Sequence, residues 1–362
     1  MGRMMIQSSI DLNLEIKVLD PDKNAPCKNL VGDFVVGSLL DFETVVAFGK
    51  DCDVITIEIE NVNTEGLRKL RDLGKEVYPQ PEVIELIQDK RKQKTFYKAN
   101  RLPTSEFVLT ENAEDVRAQA VLLPAVNKLG RGGYDGRGVQ VIKTEEDLAS
   151  AFDAPGLLER FVPFEKEISV VVARNNSGEV KTFPVTELSY HRTQNLVEFL
   201  FSPAIISDES SKKAQQLAVE VIEKIDMVGL LAVEMFLTKD GDILINEIAP
   251  RTHNSGHQTI EGNITSQFEQ HIRAILDLPL GDTATTRPCA MVNLLGEDGF
   301  EGEAYYEGVT EAMAMKDVHL HLYGKKLTKP FRKMGHVTVG ANSPEELKGK
   351  ALKIKELIKV KA

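Results

Sequence analysis

Tryptophan is absent from the chain, cysteine occurs three times, and aromatic residues make up only 6% of it. Cys27, Cys52 and Cys289 are odd in number, far apart and form no C-x-x-C pair. They imply neither a disulfide framework nor a zinc site, and a reducing, cytoplasmic setting is expected. Apolar runs of membrane-spanning length are missing, so no membrane helix is expected. Residues 1–10 lack the apolar core of a secretory signal. Excess basic charge is missing too: 44 Lys and Arg stand against 55 Asp and Glu, a formal net charge of −11. That balance argues against nucleic acid as the main partner but leaves room for a local basic pocket that takes a phosphorylated small molecule.

What remains is an ordinary globular composition, 42% hydrophobic and 27% charged, over 362 residues, enough for two or three domains. The expected class is α/β and α+β. Residues 15–19 and 53–59 read as strands of a parallel, doubly wound sheet, and Thr64, Leu67, Leu70 and Leu73 as a helix that Gly74 can end. Residues 1–10 look like the first helix of such a unit with no strand before it, so the N-terminal α/β domain (1–78), Rossmann-like, is expected to lack its first strand and to be truncated. A helix dominates 79 to about 126, with the basic run 90–94 on it, read mostly as a solvated face. Strands at 125–128, 138–142, 157–162, 167–173 and 180–185 make a β-rich unit, a lid subdomain over about 126–185 within a domain spanning 79–280. The remainder, 281–362, is a small β-rich C-terminal domain closed by a helix with a capping box from Ser343 to Glu346.

Three stretches carry chemistry. In residues 128–139, five of twelve residues are glycine, flanked by Lys128 and Arg137 and containing Tyr134 and Asp135. Such a loop is either a backbone cradle for phosphates or a hairpin tip. Residues 231–237 and 243–248 form a hairpin about Asp240-Gly241. A two-residue turn pairs residues whose numbers sum to 481, which sets Glu234 opposite Glu247 on one face. Opposed like charges are destabilising unless something neutralises them, and Mg²⁺ held against a nucleotide suits two carboxylates with Asn246 beside them. The polar loop after the hairpin gathers Arg251, His253, Asn254, Ser255 and His257. Lys128 ends an apolar strand where it can reach phosphate, the backbone of 159–162 could meet a nucleobase edge, and Glu167 could accept from ribose hydroxyls.

These motifs, with 57–62 (Ile-Glu-Ile-Glu-Asn-Val), 87–90 (Ile-Gln-Asp-Lys) and Tyr323-Gly-Lys325 followed by 332–336 (Arg-Lys-Met-Gly-His), resemble the ATP-grasp enzymes, and more narrowly the 5-(carboxyamino)imidazole ribonucleotide synthases of purine biosynthesis. The resemblance spans nearly the whole chain and implies an ATP-grasp fold. It implies ATP, bicarbonate and 5-aminoimidazole ribonucleotide as substrates, with carboxyphosphate formed on the way. It places Lys90 and Lys128 on ATP phosphates, Gly133, Tyr134, Asp135, Gly136, Arg137, Gly138 and Val139 in a lid, and Glu159, Arg160, Phe161 and Val162 at adenine. Glu167 falls to ribose, His191 to ATP, Glu234 and Glu247 to Mg²⁺ with Asn246 beside them. Tyr134, Asp135, Arg137, Glu58, Glu60 and Arg251 would border bicarbonate and the amine, and His253, Asn254, Ser255, His257, Lys325 and Arg332 the ribonucleotide. A homodimer is implied as well. The family begins with a strand and a glycine-rich loop ahead of Gly2-Arg3-Met4, which this sequence does not contain. A formate-using purine transformylase of the same fold, or an inert nucleotide-binding homologue, are the competing expectations.

Overall fold

The computed structural model of the chain describes residues 1–133, 138–190 and 196–362. Tyr134, Asp135, Gly136, Arg137 and His191 lie outside them.

Short α/β steps build the N-terminal unit. Helix Gly2–Ile10 leads into strands Lys17–Asp20 and Asp33–Val36, which pair in parallel, and Val54–Ile55 pairs in parallel with Glu76–Val77. Among the described residues these pairs stay separate, so the expected single sheet is observed as two ribbons. The strand expected over 53–59 stops at Ile55, and the residues after it are bonded by side chains from other elements. Gln88 Nε2 donates to the carbonyls of Glu60 (2.8 Å) and Val62 (2.9 Å), and Thr56 Oγ1 bonds His271 Nε2 (2.8 Å). Helix Thr64–Asp72 starts at Asn63, whose side chain accepts from Gly66 N–H (2.7 Å), and Gly74 follows it at φ +85°.

The single helix expected after residue 79 is two. Pro81–Ile87 buries Val83, Ile84 and Ile87, then the chain breaks at Gln88-Asp89 and restarts as Lys90–Ala99. Asp89 causes the restart: its carboxylate accepts the Arg91 N–H (3.0 Å), an N-cap in the middle of an otherwise helical pattern. The new helix turns Gln93, Lys94 and Tyr97 inward, which corrects the reading of 90–94 as a mainly solvated face.

Two sheets frame the rest. A four-stranded sheet runs Phe107–Thr110, Gly156–Arg160, Ala125–Leu129, Val139–Ile142 in spatial order. A nine-stranded sheet runs Ile243–Ala249, Gly229–Thr238, Phe164–Arg174, Thr186–Tyr190, Val197–Ser202, Cys289–Leu295, Lys333–Gly340, Val318–Leu322, with Val180–Thr182 beside Phe164–Arg174. The strands expected at 167–173 and 180–185 thus sit in the large sheet, not with the glycine loop. The reason is length: Phe164–Arg174 has eleven residues, and Gly229–Thr238 pairs with it along its full extent. Cys289–Leu295 and Lys333–Gly340, in the expected C-terminal β-rich part of the chain, continue the large sheet.

Helices cover both faces. Asp208–Lys224, capped by Ser207, packs Leu217, Val221 and Ile222 onto Val170, Leu231 and Val233. Gln267–Ile275 lies on the other face, where Ala274 meets Val171, Leu230 and Ala232.

Candidate active site

The hairpin carrying the two acids shows how register sets chemistry. Thr238 N–H donates to Asp242 O (2.9 Å) and Gly241 N–H to Thr238 O (3.1 Å), so the turn holds three residues, ending on Gly241 at φ +84°. Near the turn, Leu237 faces Ile243, Phe236 faces Leu244 and Met235 faces Ile245. That register would set Glu234 against Asn246. A β-bulge intervenes: beyond it Glu234 faces Glu247 and Val233 faces Ile248, with Asn246 the extra residue. The expected pairing of Glu234 with Glu247 is observed, reached through a longer turn and a compensating bulge. The bulge also frees the Asn246 side chain to accept from Lys128 Nζ (3.0 Å).

Glu234 is buried and Glu247 half-exposed. Burial and then the facing Glu247 push the Glu234 carboxyl up, whereas the Lys90 ammonium holds Glu247 down against the cost of its burial. Lys90 Nζ lies 2.7 Å from Glu247 Oε2, and Lys90 N–H donates to Gly130 O (2.8 Å), tying the helix start to the glycine loop. The described ends of that loop, Gly132 and Gly138, are left-handed (φ +75° and +69°), and Lys128 faces Val139 across its base. The described strands on either side of the loop, Ala125–Leu129 and Val139–Ile142, pair with each other, and the first delivers Lys128 to Asn246 beside the acids.

Behind Lys128 sits an ion cluster that the sequence did not reveal. Glu159 is buried, with Oε2 3.2 Å from Lys128 Nζ and Oε1 3.2 Å from Lys94 Nζ. Ser105 Oγ donates to Glu159 Oε2 (2.9 Å), and Lys94 Nζ donates to Ser105 Oγ (3.0 Å) and Thr104 Oγ1. Thr104 in turn donates to Ile245 O (2.7 Å), pinning the cluster to the acid-bearing strand. Burial opposes the charge on Glu159, but Lys128 and Lys94 hold its carboxyl below the usual range. Burial, helped by Lys128 and Lys90, lowers Lys94 to about 8 against the pull of Glu159. The signal for Lys94 was present as an i, i+4 step from Lys90 toward Tyr97.

Residues 159–162 leave the small sheet along Phe107–Thr110 and Ala125–Leu129. The N–H groups of Arg160 and Phe161 donate to the carbonyls of Glu106 and Pro124 (2.8 Å each), and the Arg160 side chain pairs with Glu106 (2.7 Å). Phe161 is exposed, and Val162 is partly buried beside it. The Glu167 carboxylate, raised by burial, is hydrogen-bonded by Tyr190, a partner the sequence did not suggest. Phe236, two residues beyond Glu234, stacks on Phe164 at 4.9 Å.

The polar loop is organised by Gln267, which accepts from His253 N–H (2.9 Å), donates to His253 O (2.7 Å) and meets His257 Nδ1 (3.1 Å). His253 Nε2 comes to 3.8 Å from Glu234 Oε1 while its Nδ1 meets Ser255 Oγ (2.9 Å), and Ser255 bonds Ser169 (2.8 Å). Asn254 and Asn293 exchange amide hydrogen bonds (2.9 and 3.0 Å), locking this loop to the C-terminal strands. His257 stacks on His336 (4.6 Å), which stacks on His321 (4.4 Å); burial keeps both His257 and His336 well below ordinary imidazole values. Arg251 pairs with Glu60 (2.8 Å), and Glu58 takes the α-amino group of Met1 (2.9 Å). Lys325 Nζ donates to Lys333 O (2.8 Å), and Arg332, which donates to Leu327 O (2.7 Å), lines a cavity of about 300 Å³ that Lys325 does not reach. Lys333, unremarked in the sequence, lends positive charge toward both Glu234 and His257. Two opposed carboxylates, a third oxygen on Asn246 and two lysines form a hard-oxygen, cationic site suited to a divalent ion and phosphates.

Comparison with known proteins covers the whole chain. Family models match the ribonucleotide synthetase preATP-grasp domain over residues 1–88, the ATP-grasp domain over 95–268 and the phosphoribosylaminoimidazole carboxylase C-terminal domain over 289–350. The N5-carboxyaminoimidazole ribonucleotide synthase of Bacillus subtilis is 39% identical over 93% of this chain and 88% of its own length. The crystal structure of the corresponding synthetase from Thermotoga maritima superposes with a TM-score of 0.92 at 42% identity, covering 100% of this chain and 96% of that one. The Aspergillus clavatus synthase, crystallised with ADP and 5-aminoimidazole ribonucleotide, gives 0.89 at 31% identity, covering 98% and 95%. The chain spans 63% of the chloroplastic phosphoribosylaminoimidazole carboxylase of Vigna aconitifolia, at 38% identity over 95% of this chain. No helix among the described residues is long and apolar enough to cross a membrane.

Proposed function

This chain belongs to the N5-carboxyaminoimidazole ribonucleotide synthase family of ATP-grasp ligases, and from that membership we propose that it carboxylates 5-aminoimidazole ribonucleotide with bicarbonate at the expense of ATP. A bicarbonate oxygen attacks the γ-phosphorus, ADP leaves, and carboxyphosphate results. The ribonucleotide amine then attacks the carboxyl carbon and phosphate departs. The observation that carries the reading is the meeting of Glu234 and Glu247 with Lys90 and Lys128, across four elements, in a chain similar to a synthetase over its full length.

The residues act mainly by position and charge, as phosphoryl transfer requires. Lys90, now on Glu247, and Lys128, now on Asn246, are free to move their ammonium groups to phosphate oxygens. Glu234, Glu247 and Asn246 would hold Mg²⁺, which when bound offsets charge on the phosphate oxygens. His253, Arg251, Glu58 and Glu60 border the space for bicarbonate and the amine. Tyr134, Asp135 and Arg137, with the glycines around them, are read as the lid that keeps water from carboxyphosphate. Lys325 and Arg332 take the ribonucleotide's phosphate, with Lys333 a further cation on the same side. A homodimer belongs to the same reading, and so does a cytoplasmic location, with which the free thiols of Cys27, Cys52 and Cys289 agree.

The test is ADP release by the purified chain. It should require bicarbonate together with 5-aminoimidazole ribonucleotide. Release that depends instead on glycinamide ribonucleotide and formate would transfer the chain to the transformylase reading, and binding of ATP without ADP release to the inert one.

A further inference from the structure

Lys94 is a long cationic side chain with only 3% of its surface exposed, and no role at the site has so far been attached to it. Its surroundings explain why it stays charged there. Glu159 lies 3.2 Å away, and the hydroxyls of Thr104 and Ser105 accept its hydrogens. A buried lysine this well supplied would be a closed structural pair were it not for Lys128, whose ammonium is 3.2 Å from the other oxygen of the same carboxylate. Two ammonium groups therefore share one carboxylate, and the cluster keeps one positive charge. Lys128 is the member that also reaches the acid-bearing strand, through Asn246 at 3.0 Å.

We propose that Lys94 is a positioning residue for nucleotide binding: by occupying one oxygen of Glu159 it prevents Lys128 from being neutralised by that carboxylate, and leaves the Lys128 charge directed at a phosphate. The inference rests on the nucleotide-site reading of Lys128 given above. With Lys94 gone, Glu159 Oε1 would lose the cation 3.2 Å from it, and the carboxylate, which already accepts from Lys128 through Oε2 at 3.2 Å, would be left to Lys128 alone. A one-to-one buried pair would result, and Lys128 would have to break it to meet a phosphate.

Calorimetric titration with ATP and Mg²⁺, without the other substrates, separates this from a packing role. Lys94→Met should weaken binding at least fivefold, raise KM for ATP in step, and leave kcat and the KM for 5-aminoimidazole ribonucleotide within threefold. Adding Glu159→Gln, at a side chain that is buried with its carboxylate on Lys94, Lys128 and Ser105 and so offers a base only its backbone, removes the group that would capture Lys128 and restores the cluster's single positive charge. The double variant should return to within threefold of the wild-type affinity. Lys94→Met weaker by less than fivefold, or a double variant more than threefold weaker than wild type, overturns the proposal. If Lys94→Met alone does not fold, the double variant, in which a buried ion pair is replaced by neutral groups, decides by the same threefold limit. A wild-type chain that binds no nucleotide would remove the functional reading itself, whereas tight wild-type binding with unchanged variants would remove only the role of Lys94.

Discussion

Single side chains at this site are held by partners that can be exchanged for a ligand. Glu247 is the clearest case: it is half-exposed, and its bond to Lys90 replaces what a metal and a phosphate would supply. Glu247→Gln should cut ATP turnover by a hundredfold or more, the size seen when one stabilising group is removed from a charged transition state. Its melting temperature should move little, because the side chain is half-exposed and an isosteric amide oxygen can still accept from Lys90. A coupled ADP assay beside a thermal melt reads both, and turnover within tenfold of wild type would remove Glu247 from the metal site. His271 is the opposite kind of residue, fully buried beside Gly229 with its Nε2 on Thr56 (2.8 Å). Burial lowers it from 6.5 to about 4, so the unfolded chain takes up its proton first as pH falls. The stability it contributes is complete above pH 6.5 and is lost as pH falls toward 4, about 3 kcal/mol in all. His271→Gln keeps a donor for Thr56 but cannot titrate. Urea unfolding between pH 7.5 and 5 should show a shallower pH dependence for this variant, and an unchanged one would mean His271 does not carry the effect.

At the scale of elements, the hairpin shows which parts of the site were legible. Glu234 opposite Glu247 was readable from alternation and an Asp-Gly turn, yet the turn was one residue longer than expected and the bulge at Asn246 absorbed the difference. A bulge leaves no mark in local hydrophobic pattern beyond the break between Ile245 and Ile248, both of which are core residues. Lys128 was legible because it ends a recognisable strand, whereas Lys90 came only from the resemblance, through the motif at 87–90. Lys94 was not legible, since a basic run reads as solvated until the acid it meets, 65 positions later in the chain, is placed beside it. The same contrast makes a prediction about two glycines. A Cβ on Gly241 meets nothing within 4 Å, so Gly241→Ala should incur only left-handed strain, about 1 kcal/mol, with nucleotide affinity intact. A Cβ on Gly156 would lie 2.3 Å from the carbonyl oxygen of Lys128. Gly156→Ala must push its strand from the one that bears Lys128, destabilising by about 1–3 kcal/mol and weakening ATP binding. Equal affinity in the two variants would show that the strand spacing there does not set the position of Lys128.

Across the whole molecule, sheet membership is what sequence pattern could not supply. The strands at Cys289–Leu295 and Lys333–Gly340 and the C-terminal domain that holds them were legible nearly to the residue, but the sheet they join was not, because the strand next to them, Val197–Ser202, is distant in the chain. In the structure Cys289–Leu295 pairs on one side with Val197–Ser202 and is buried at all seven positions. Beyond it the sheet continues through Lys333–Gly340 under the helix Pro344–Leu357, which packs Leu347, Ala351 and Ile354 on it. A chain ended at 280 would leave Val197–Ser202 as an open edge, with buried Leu200 and Phe199 uncovered. It would also unlock the polar loop, because Asn254 would lose Asn293 and His257 would lose the stack on His336. Residues 1–280 expressed alone should therefore aggregate, or stay soluble only with loose packing that binds a hydrophobic dye, while the full chain unfolds in one transition. A fragment that remained monomeric, melted cooperatively and bound ATP as tightly as the full chain would show that the last 82 residues are an appendage, and that the polar loop takes its shape from Gln267 without help from beyond it.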